Sequence, residues 1–589
     1  MTVLQELAAL YDRRAEEASW PKPGFSKVSM SIRVVLDSNG TVLQIGRLGS
    51  PKQNGKAFDP QIHTAPAPPS DRRGKKIVPG RFWDPMPYAL GVGGKTGAWS
   101  VEGDNATAKF EKFRREHMEL LEGCDDPDLV AFRRFCETWE PNQFFDLPDA
   151  EALDGPNVAF EGPSGAFVHD LPAAHRLLAP FSVGDTVCLV TGERAAVARL
   201  HIPIKVPFHD KQPPLISFNE DAFESHGKSQ GDNAPVSEAA AFAYGTALNA
   251  LLARDSGNNI RIGGDTVAFW ADQPKAEWTF EAFLNGTDDA ATEQELSARL
   301  EAVWAGKARP PQDMPPDTRF FVLGLAPNAA RLSVRYWLPS RLNAFIGAIE
   351  TFWSQCAIAP NPFQKGGVPT PPRPCVLLYD LAALRDEKNI PPKLGGELMQ
   401  AILTRAPFPA TMLAAVLARI RAEGDPDRFT DGRRAALIRA VLVRNHEMEV
   451  PMALDETADD PAYLLGRLFA AYAYAERSYQ DRGASLRSKY MGAASATPAR
   501  VFPQLMRGYE HNLASLRKAG GQKAGAGVKA DRAVAAIVEG LPGGGELPAA
   551  LPMEDQGKFF VGFYHQISAF YAKAEDAADA LIEDEGEDT

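Results

Sequence analysis

The chain has 589 residues, 44% of them apolar, which is enough for about four domain-sized units with cores of their own. Five scattered cysteines without C-x-x-C spacing indicate a reducing cytosol, and the apolar runs fall short of the ~18 residues that a membrane span needs. A net charge of −13 would ordinarily argue against a nucleic-acid partner. Eight of the acidic residues, however, lie in the tail from Glu575 to Thr589, which we expect to be solvated and partly disordered, so the rest of the chain is closer to neutral.

The first predicted elements are a helix and a pair of antiparallel strands. Residues Thr2 to Glu17 have amphipathic helical spacing, and alternating apolar residues flank Ser38-Asn39-Gly40, a strong hairpin signal. Asn54 to Pro69 is rich in proline and predicts a mobile loop. This loop runs into the basic sequence DRRGKK, Asp71 to Lys76.

The next segment, ALGVGGKT from Ala89 to Thr96, is one glycine short of the phosphate-binding loop G-x-x-x-x-G-K-[ST]. That loop needs a buried strand before it and a helix N-terminus after it. Here WDPMPYAL precedes the glycines with two prolines, and TGAWSVEGDN follows them with two more glycines. The segment therefore predicts a flexible glycine turn. A Walker-B look-alike, VLLYD from Val376 to Asp380, has the form of a common strand ending.

The middle of the chain alternates between helical, irregular and strand-like patterns. Residues 106 to 139 have helical periodicity, Asp146 to Ala179 is irregular, and strand-like pieces return from Thr186 to Ile204. The most distinctive stretch, Ile216 to Asp255, predicts a polar loop and then a helix that begins after Ser237.

Three strands and a long helical region complete the expected fold. The strands are TVAFWA (266–271), RFFVLGLA (319–326) and RLSVRYWL (331–338), the last two as a hairpin. Beyond residue 380 nearly everything is helical, with an acidic linker at Glu449 to Asp459 and a flexible Gly/Lys loop at Ala519 to Asp531. We therefore predict an α+β fold with a mixed N-terminal region (1–380), a helical connector (381–450) and a C-terminal helical bundle (451–589).

No catalytic constellation emerges from the motifs. The dipeptides His169-Asp170 and His209-Asp210 lack the further His and Asp partners of a two-metal phosphohydrolase, and Cys188 with His201 is at best half a zinc site. Ser164 lacks the second glycine of a nucleophile elbow. We expect neither an enzyme nor a bound metal or cofactor.

Basic residues cluster with aromatic ones in several places, which suits a nucleic acid, although each cluster alone is more often a solvated face. Near the N-terminus these are Lys27, the loop with Arg72, Arg73, Lys75 and Lys76, and Arg81-Phe82-Trp83. The C-terminal helices carry Arg482, Arg487, Lys489, Arg500, Arg507, Arg517, Lys518 and Lys523.

Seven motifs, collinear over nearly the whole chain, resemble the large subunit of the type I-C CRISPR Cascade surveillance complex. They are VPGRFWDPMPYALGV, CLVTGERAAVARLH, ISFNEDAFESHGKSQGDNAPVSEAAAFAYGTALNALL, RFFVLGLAPNAARLSVRYW, DPAYLLGRLFA, KYMGAASATPARVFPQLMR and EDQGKFFVGFYHQ.

The resemblance implies a cytoplasmic, non-catalytic, DNA-binding subunit of an RNA-guided antiviral complex. Such a subunit contacts CRISPR RNA, the guide-handle subunit and the backbone subunits, reads the protospacer-adjacent motif on duplex DNA, wedges the strands apart and helps to recruit the helicase-nuclease. The C-terminal part resembles the small subunits and is also made separately by internal translation. We place that start at Met452, with Met448 as the alternative.

The resemblance does not decide which residues read the motif. We hypothesise that Lys27 and the segment Arg72 to Arg81 approach the duplex and that Lys95 reaches a phosphate. Phe82 and Trp83 are candidate wedge residues, or else both are packed in a core.

Two further groups of residues are candidate contacts. Lys228, Gln230 and Asn233 could contact the guide handle or a neighbouring subunit, unless Asn233 merely caps the turn before Pro235. The candidate C-terminal strand contacts are Arg487, Lys489, Arg500, Arg507 and Lys518.

Two other classes of function compete with this hypothesis. One is an enzyme, either a P-loop NTPase built on Lys95 and Thr96 or a nuclease that uses the His-Asp pairs. The other is a scaffold that binds guide RNA only.

Overall fold

Contacts between Cα atoms divide the chain into two compact units, Met1–Lys205 with His209–Ala250, and Val206–Phe208 with Leu251–Thr589. The connector expected at 381–450 thus belongs to the same unit as the helices that follow it, and the division falls near residue 250. The computed structural model describes residues 2–584 except 17–19, 52–57, 70–75, 154, 156, 179–180, 208, 210, 219, 286–289, 306–317, 329–330, 366, 392, 425–426, 481–484 and 543–545.

The first unit combines small sheets with short helices. Its elements are α1 (Val3–Arg14), β1 (Phe25–Met30), β2 (Ile32–Leu36), β3 (Val42–Arg47), β4 (Gly49–Pro51), β5 (Phe58–Pro66), β6 (Trp83–Pro85), α2 (Met86–Ala89), β7 (Gly93–Lys95), β8 (Ala98–Ser100), α3 (Ala106–Leu120), α4 (Pro127–Thr138), β9 (Asn157–Glu161), α5 (Pro172–Arg176), β10 (Thr186–Val187), β11 (Arg194–Ala195) and α6 (Glu238–Leu251). The larger sheets have the orders β3-β2-β9-β6 and β1-β5-β4; β2 and β9 run parallel, and the other described strand pairs of these sheets are antiparallel.

The β2–β3 hairpin forms where Ser38-Asn39-Gly40 predicts it. Oδ1 of Asp37 accepts hydrogen bonds from the N–H groups of Asn39 (2.9 Å) and Thr41 (2.7 Å). Gly40 has a φ of 81°, and a Cβ there would lie 2.4 Å from the backbone nitrogen of Phe135. Glycine is therefore required both by the turn and by the close approach of α4.

Aromatic side chains from α3 and α4 fill the core of this unit. Phe113 lies on α3, Phe132 and Phe135 lie on α4, and all three are buried around Phe160 of β9. The rings of Phe132 and Phe160 are 4.9 Å apart. The apolar spacing of residues 106 to 139 thus places one face of each helix on the sheet.

The second unit begins with an antiparallel sheet of order β12-β13-β14-β15. Its strands are β12 (Asn259–Ile262), β13 (Asp265–Ala271), β14 (Arg319–Asn328) and β15 (Arg331–Arg341), with a two-stranded ribbon of β16 (Gln364–Lys365) and β17 (Val368–Pro369). The three predicted strands and the β14–β15 hairpin are confirmed. Every residue of β13 is buried, as expected of an inner strand.

Helices make up the rest of the second unit, and the expected change from mixed to helical structure is confirmed. They are α7 (Pro274–Asn285), α8 (Ala290–Trp304), α9 (Leu342–Gln355), α10 (Pro374–Leu381), α11 (Leu394–Thr404), α12 (Thr411–Ala422), α13 (Arg428–His446), α14 (Pro461–Tyr479), α15 (Leu486–Ala496), α16 (Pro498–Ala519), α17 (Gly521–Gly540) and α18 (Met553–Asp584). The last helix packs on α14 and also contacts α12 and α13.

Helices α14 and α18 approach each other closely at two glycines. A Cβ at Gly466 would lie 1.8 Å from the carbonyl oxygen of Phe559, and one at Gly562 would lie 2.2 Å from that of Tyr463. The absence of both side chains therefore allows backbone-to-backbone contact between the two helices.

Four local predictions need correction. Part of the loop expected at Asn54 to Pro69 is strand β5, because residues 58–66 pair with both β1 and β4. The Gly/Lys segment from Ala519 lies mostly in α17, where Gly527 and Ala530 are buried against α16 and the rest of the bundle. VLLYD lies in helix α10 and does not end a strand.

The fourth concerns Thr186 to Ile204, which has only the two-residue strands β10 and β11 besides isolated bridges. In addition, helix α18 continues through the acidic sequence as far as Asp584, so the backbone of the expected tail is helical up to that residue.

Candidate nucleic-acid interface

The segment Ala89–Thr96 forms part of a hairpin and has no phosphate-loop geometry. Ala89 ends α2, and Gly93–Lys95 pairs antiparallel with Ala98–Ser100. A Cβ at Gly93 would lie 2.2 Å from the carbonyl oxygen of Gly103, so this glycine serves packing. The predicted glycine turn is confirmed, and Lys95 is exposed at its end.

Phe82 and Trp83, the candidate wedge residues, are core residues in this fold. Their exposed fractions are 0% and 3%. The N–H of Phe82 donates to Nε2 of His117 at 2.9 Å, and Nε1 of Trp83 donates to the carbonyl oxygen of Pro66 at 2.8 Å. Both residues are held inside by packing and hydrogen bonds, so the packed-core alternative is the one observed.

His117 anchors the backbone of Phe82, which has a positive φ of 64°. Nδ1 of His117 lies 2.8 Å from the carbonyl oxygen of Phe113, so this nitrogen carries the ring proton and Nε2 accepts from Phe82. Burial lowers the pKa of His117 to about 3. The ring is therefore neutral at pH 7, the state in which Nε2 can accept.

Arg81 is held against α3 by an ion pair. Its Nη1 lies 3.1 Å from Oε2 of Glu116, and 38% of its side chain is exposed. On the same helix, Nζ of Lys112 donates to the carbonyl oxygen of Ile77 at 2.7 Å. The residues that follow the basic loop are thus fixed to α3, while part of the Arg81 side chain still faces solvent.

A cavity of about 320 Å³ lies beside Arg81. Ligand pockets of proteins occupy about 300–1,000 Å³, so this cavity is at the small end of the range. Its walls include residues on both sides of the basic loop and residues that directly precede β1. The lining residues are Pro23, Gly24, Pro66, Ala67, Arg81, Leu120, Leu177 and Leu178.

Two lysines of the predicted interface are exposed near the segments that form this cavity. Lys27 lies on β1, in register with Thr64 of β5 and about 10 Å along the strand from Gly24. Lys76 is exposed at the end of the basic loop. Arg72, Arg73 and Lys75 lie outside the described residues, as does Arg482 of the C-terminal set.

The distinctive loop before α6 is braced by its own side chains. Oδ1 of Asn233 accepts from the N–H of Ser225 at 2.9 Å, and its Nδ2 donates to the carbonyl oxygens of Lys228 and Gln230. Oε1 of Gln230 accepts from Nη1 of Arg199 at 2.7 Å. Asn233 therefore has a bracing role, close to the capping alternative, whereas the side chain of Lys228 is exposed.

Arg487, a candidate strand contact, is buried in this fold and paired with an acidic residue. Its guanidinium is paired with both carboxylate oxygens of Asp431, with 2.7 Å between Nη2 and Oδ1, and lies 5.3 Å from the centre of the Phe563 ring. Its exposed fraction is 8%. Lys489, two residues further along α15, is exposed.

Three other candidate contacts share one face of α16. Arg500, Arg507 and Lys518 are seven and eleven residues apart, which corresponds to nearly whole numbers of helical turns. All three side chains are exposed, while Phe502, Leu505 and others on the opposite face are buried. We call these three residues the α16 basic stripe, and it extends along about 27 Å of helix.

Arg517 and Lys523 lie outside this stripe. Nη2 of Arg517 is 2.9 Å from Oδ2 of Asp531, which neutralises its charge locally. Nζ of Lys523 donates to the carbonyl oxygen of Tyr479 at 3.4 Å.

Cys188 and His201, which the sequence offers as at best half a zinc site, each have a hydrogen-bond partner in this fold. Sγ of Cys188 accepts from the N–H of Ser237 at 3.2 Å, and Nδ1 of His201 bonds to the Tyr244 hydroxyl. Burial raises the pKa of Cys188, but hydrogen bonds from Ser237 and Thr191 outweigh it and lower the pKa to about 7.

The fold also supplies a partner that the motifs did not reveal. His63, on β5, lies beside His169-Asp170, with 3.2 Å between Nδ1 of His63 and Nε2 of His169. A separation of 106 residues hides this pairing from local pattern analysis.

One comparison with known proteins gives a match that covers nearly the whole chain. The family model described as CRISPR-associated protein (Cas_Csd1) matches residues 7–571. A search of curated proteins finds no match. None of the helices in the described part of the chain combines the length and hydropathy that a bilayer span requires.

Proposed function

The chain belongs to the Cas_Csd1 family of CRISPR-associated proteins, and on this premise we propose that it is the non-catalytic large subunit of an RNA-guided type I-C complex. In this role it recognises the protospacer-adjacent motif in duplex DNA, promotes strand separation and R-loop formation, and helps to recruit the helicase-nuclease. The family match over residues 7–571 is the observation that carries the proposal.

The distribution of exposed cations supports this role despite the net charge of −13. In RNA-guided recognition, base pairing reads the sequence, so the protein needs only a small motif reader and contacts to the backbone. The partly exposed Arg81 provides a cation at one cavity of the first unit, and Lys27 and Lys76 are exposed a few residues from its lining segments in the sequence. The α16 basic stripe provides a second set of cations in the second unit.

We assign these groups as follows. Lys27 contacts a base edge of the motif, the loop that ends at Lys76 contacts phosphates, and Lys95 contacts a phosphate from its hairpin. The loop with exposed Lys228 docks against the guide handle or a neighbouring subunit. The α16 basic stripe and Lys489 contact a DNA strand. The partners are target DNA, CRISPR RNA, the guide-handle and backbone subunits, the small subunit and the helicase-nuclease.

The test of motif reading is Lys27→Ala in the assembled complex. Loss of a base contact costs roughly 1–3 kcal/mol of discrimination at one motif position. The measurement is equilibrium binding to duplexes that carry each single change in the motif. Lys388→Ala, which removes an exposed lysine of the second unit, is the control. Equal losses on matched and mismatched motifs would refute the reading role of Lys27.

Phosphate contacts have a different signature. Replacing Lys76 with Ala weakens binding equally for all sequences and reduces the slope of log K against log salt by about 1. An unchanged slope removes Lys76 from the DNA path. Crosslinking of the assembled complex to duplex target separates this role from that of a scaffold which touches guide RNA only.

The absence of catalysis is part of the proposal and has its own test. Purified protein is assayed for nucleotide hydrolysis and DNA cleavage with and without Mg²⁺. Lys95→Ala and His169→Ala variants serve as controls, because the competing enzyme hypotheses rest on these residues. Turnover that either variant abolishes would establish an enzyme in place of a binding subunit.

A further inference from the structure

A compact group of three potential metal ligands lies in the first unit. It consists of His63 on β5 and of His169 and Asp170 in a single 3₁₀ turn at Val168–Asp170. One ligand atom from each residue can be chosen so that all three lie within 4.8 Å of one another.

The two nitrogen atoms lie at the distance of neighbouring ligands around one ion, and the Asp170 carboxylate lies slightly further away. Nδ1 of His63 and Nε2 of His169 are 3.2 Å apart; Oδ2 of Asp170 is 3.9 Å from Nδ1 of His63, and its other oxygen, Oδ1, is 3.7 Å from Nε2 of His169. Zinc binds His nitrogen and carboxylate oxygen at about 2.0–2.2 Å, and a tetrahedral arrangement then separates its ligands by about 3.3–3.5 Å. The observed spacing fits such a site with small movements of the exposed Asp170.

The two imidazoles are held in the orientation that ligation needs. His169 is fully buried and His63 is 9% exposed, and the ring of Phe167 lies 4.8 Å from that of His63 and 5.4 Å from that of His169.

One of the three ligands is accessible to solvent. The Asp170 side chain is 49% exposed, so its carboxylate can receive an ion from solvent, and water can complete the coordination. His175 supports the turn from behind, since its Nε2 lies 2.9 Å from the carbonyl oxygen of His169.

We propose that His63, His169 and Asp170 bind one Zn²⁺ ion that fixes β5 to the turn after β9. Two imidazoles and one carboxylate are a ligand set that suits zinc among the divalent ions. The chain leaves β5 at Pro66 and enters the segment that contains the basic loop. The ion therefore fixes the end of β5, from which the chain continues toward the basic loop, and zinc binding itself can be measured without DNA.

The test measures zinc binding by the full-length chain after treatment with a chelator. We expect one bound Zn²⁺ per chain, a higher melting temperature with zinc than without it, and visible Co²⁺ absorption bands of a low-symmetry site when Co²⁺ replaces zinc. Asp170→Asn removes a ligand charge at an exposed position, so it tests the site without disturbing the core. We expect zinc affinity to fall by at least about tenfold in Asp170→Asn and further in His63→Ala.

The control variant is His511→Ala, which removes an exposed histidine of α16 and should leave zinc affinity unchanged. Two results overturn the proposal. A wild-type chain that binds no zinc at micromolar concentrations has only a hydrogen-bonded histidine pair at this position. If Asp170→Asn and His63→Ala both bind zinc with wild-type affinity, the ion lies elsewhere.

Discussion

At the residue scale, burial decides which basic side chains can meet a nucleic acid. Arg487 and Lys489 are two positions apart in one basic sequence. Side chains two positions apart on an α-helix point about 200° away from each other. Arg487 therefore turns inward to Asp431, and Lys489 turns to solvent. A count of positive charges treats the two residues alike, whereas only Lys489 is available for binding.

Replacing Arg487 with Ala should strongly destabilise the second unit. The change leaves the buried carboxylate of Asp431 without its partner, and breaking a buried pair in this way costs about 3–5 kcal/mol. Lys489→Ala, at an exposed position of the same helix, should alter the free energy of unfolding by less than about 0.5 kcal/mol. Urea denaturation of both variants makes the comparison, and equal midpoints would contradict the structural role of Arg487.

The neutral His117 predicts a loss of stability in acid. The folded-state pKa is about 3 and the unfolded value about 6.5, so the unfolded chain binds the additional proton between these pH values. Stability from this residue is fully present above about pH 6.5 and is lost as the pH falls, by up to about 1.4 kcal/mol per unit.

The matched variant is His117→Gln, which cannot be protonated in this range. Denaturation of both proteins at pH 7 and pH 5 should show a smaller loss in the variant than in the wild type. The other buried histidines titrate equally in both proteins, so the difference isolates His117. An identical loss in the two proteins would mean that the ring is not held neutral.

At the scale of single elements, helical geometry collects scattered residues into surfaces. Arg500, Arg507 and Lys518 are far apart in sequence but share one face of α16. The same periodicity brings Gly466 of α14 against the backbone of α18. Helix α16 thus presents a line of positive charge to solvent, whereas the close packing of α14 on α18 depends on the absence of a side chain at Gly466.

The α16 basic stripe should contribute to the salt dependence of DNA binding. Replacing Arg500, Arg507 and Lys518 together with Gln removes three cations, and each phosphate contact contributes about 0.7–0.9 to the slope of log K against log salt. We expect the slope of the assembled complex to fall by about 2–3. Arg532→Gln, at an exposed position of α17, is the control, and a slope unchanged from wild type would exclude the stripe from the DNA path.

Gly466→Ala should destabilise the bundle, because its Cβ would meet the Phe559 carbonyl oxygen at 1.8 Å. Forced separation of packed helices costs about 1–3 kcal/mol. Gly508→Ala is the matched control, since no atom lies within 4 Å of a Cβ at that position of α16. There the higher helix propensity of Ala should increase stability by up to about 1 kcal/mol. The melting temperature should therefore fall in Gly466→Ala and rise in Gly508→Ala. A change in the same direction in both variants would contradict this packing.

At the scale of the whole molecule, the helices after residue 450 belong to a larger packed unit. Gly557 of α18 faces Ile438 and Leu442 of α13, and the hydroxyl of Tyr564 donates to the carbonyl oxygen of Pro360 at 2.7 Å. A product that starts at Met452 lacks α13 and this carbonyl. Its α18 would expose apolar surface that the full chain covers.

A fragment of residues 452–589 should therefore be helical but prone to association. We expect it to bind a fluorescent hydrophobic dye and to sediment in a concentration-dependent manner, because uncovered apolar surface favours association. The full-length chain is the control and should do neither to a comparable degree. A monomeric fragment without dye binding would show that the last helices rearrange to cover this surface themselves.

Much of the fold follows from local pattern. The Ser38-Asn39-Gly40 hairpin, the β14–β15 hairpin and the helices after residue 380 appear where apolar period and turn residues predict them. Local pattern also excluded a phosphate loop at Ala89–Thr96. It failed for β5 and α17, where Pro and Gly suggested loops, because pairing with β1 and packing on α16 outweigh weak local preferences.

The site depended more on tertiary structure. Motifs spread along the sequence were sufficient to identify the family, because a family is recognised from residue types and their order. Exposure is a property of the packed chain, so only the structure separated Lys27 from buried Phe82 and Trp83, and Lys489 from Arg487. Likewise, only folding placed His63 beside His169, because residues 106 positions apart meet through the packing of the 3₁₀ turn on β5 and not through any local period.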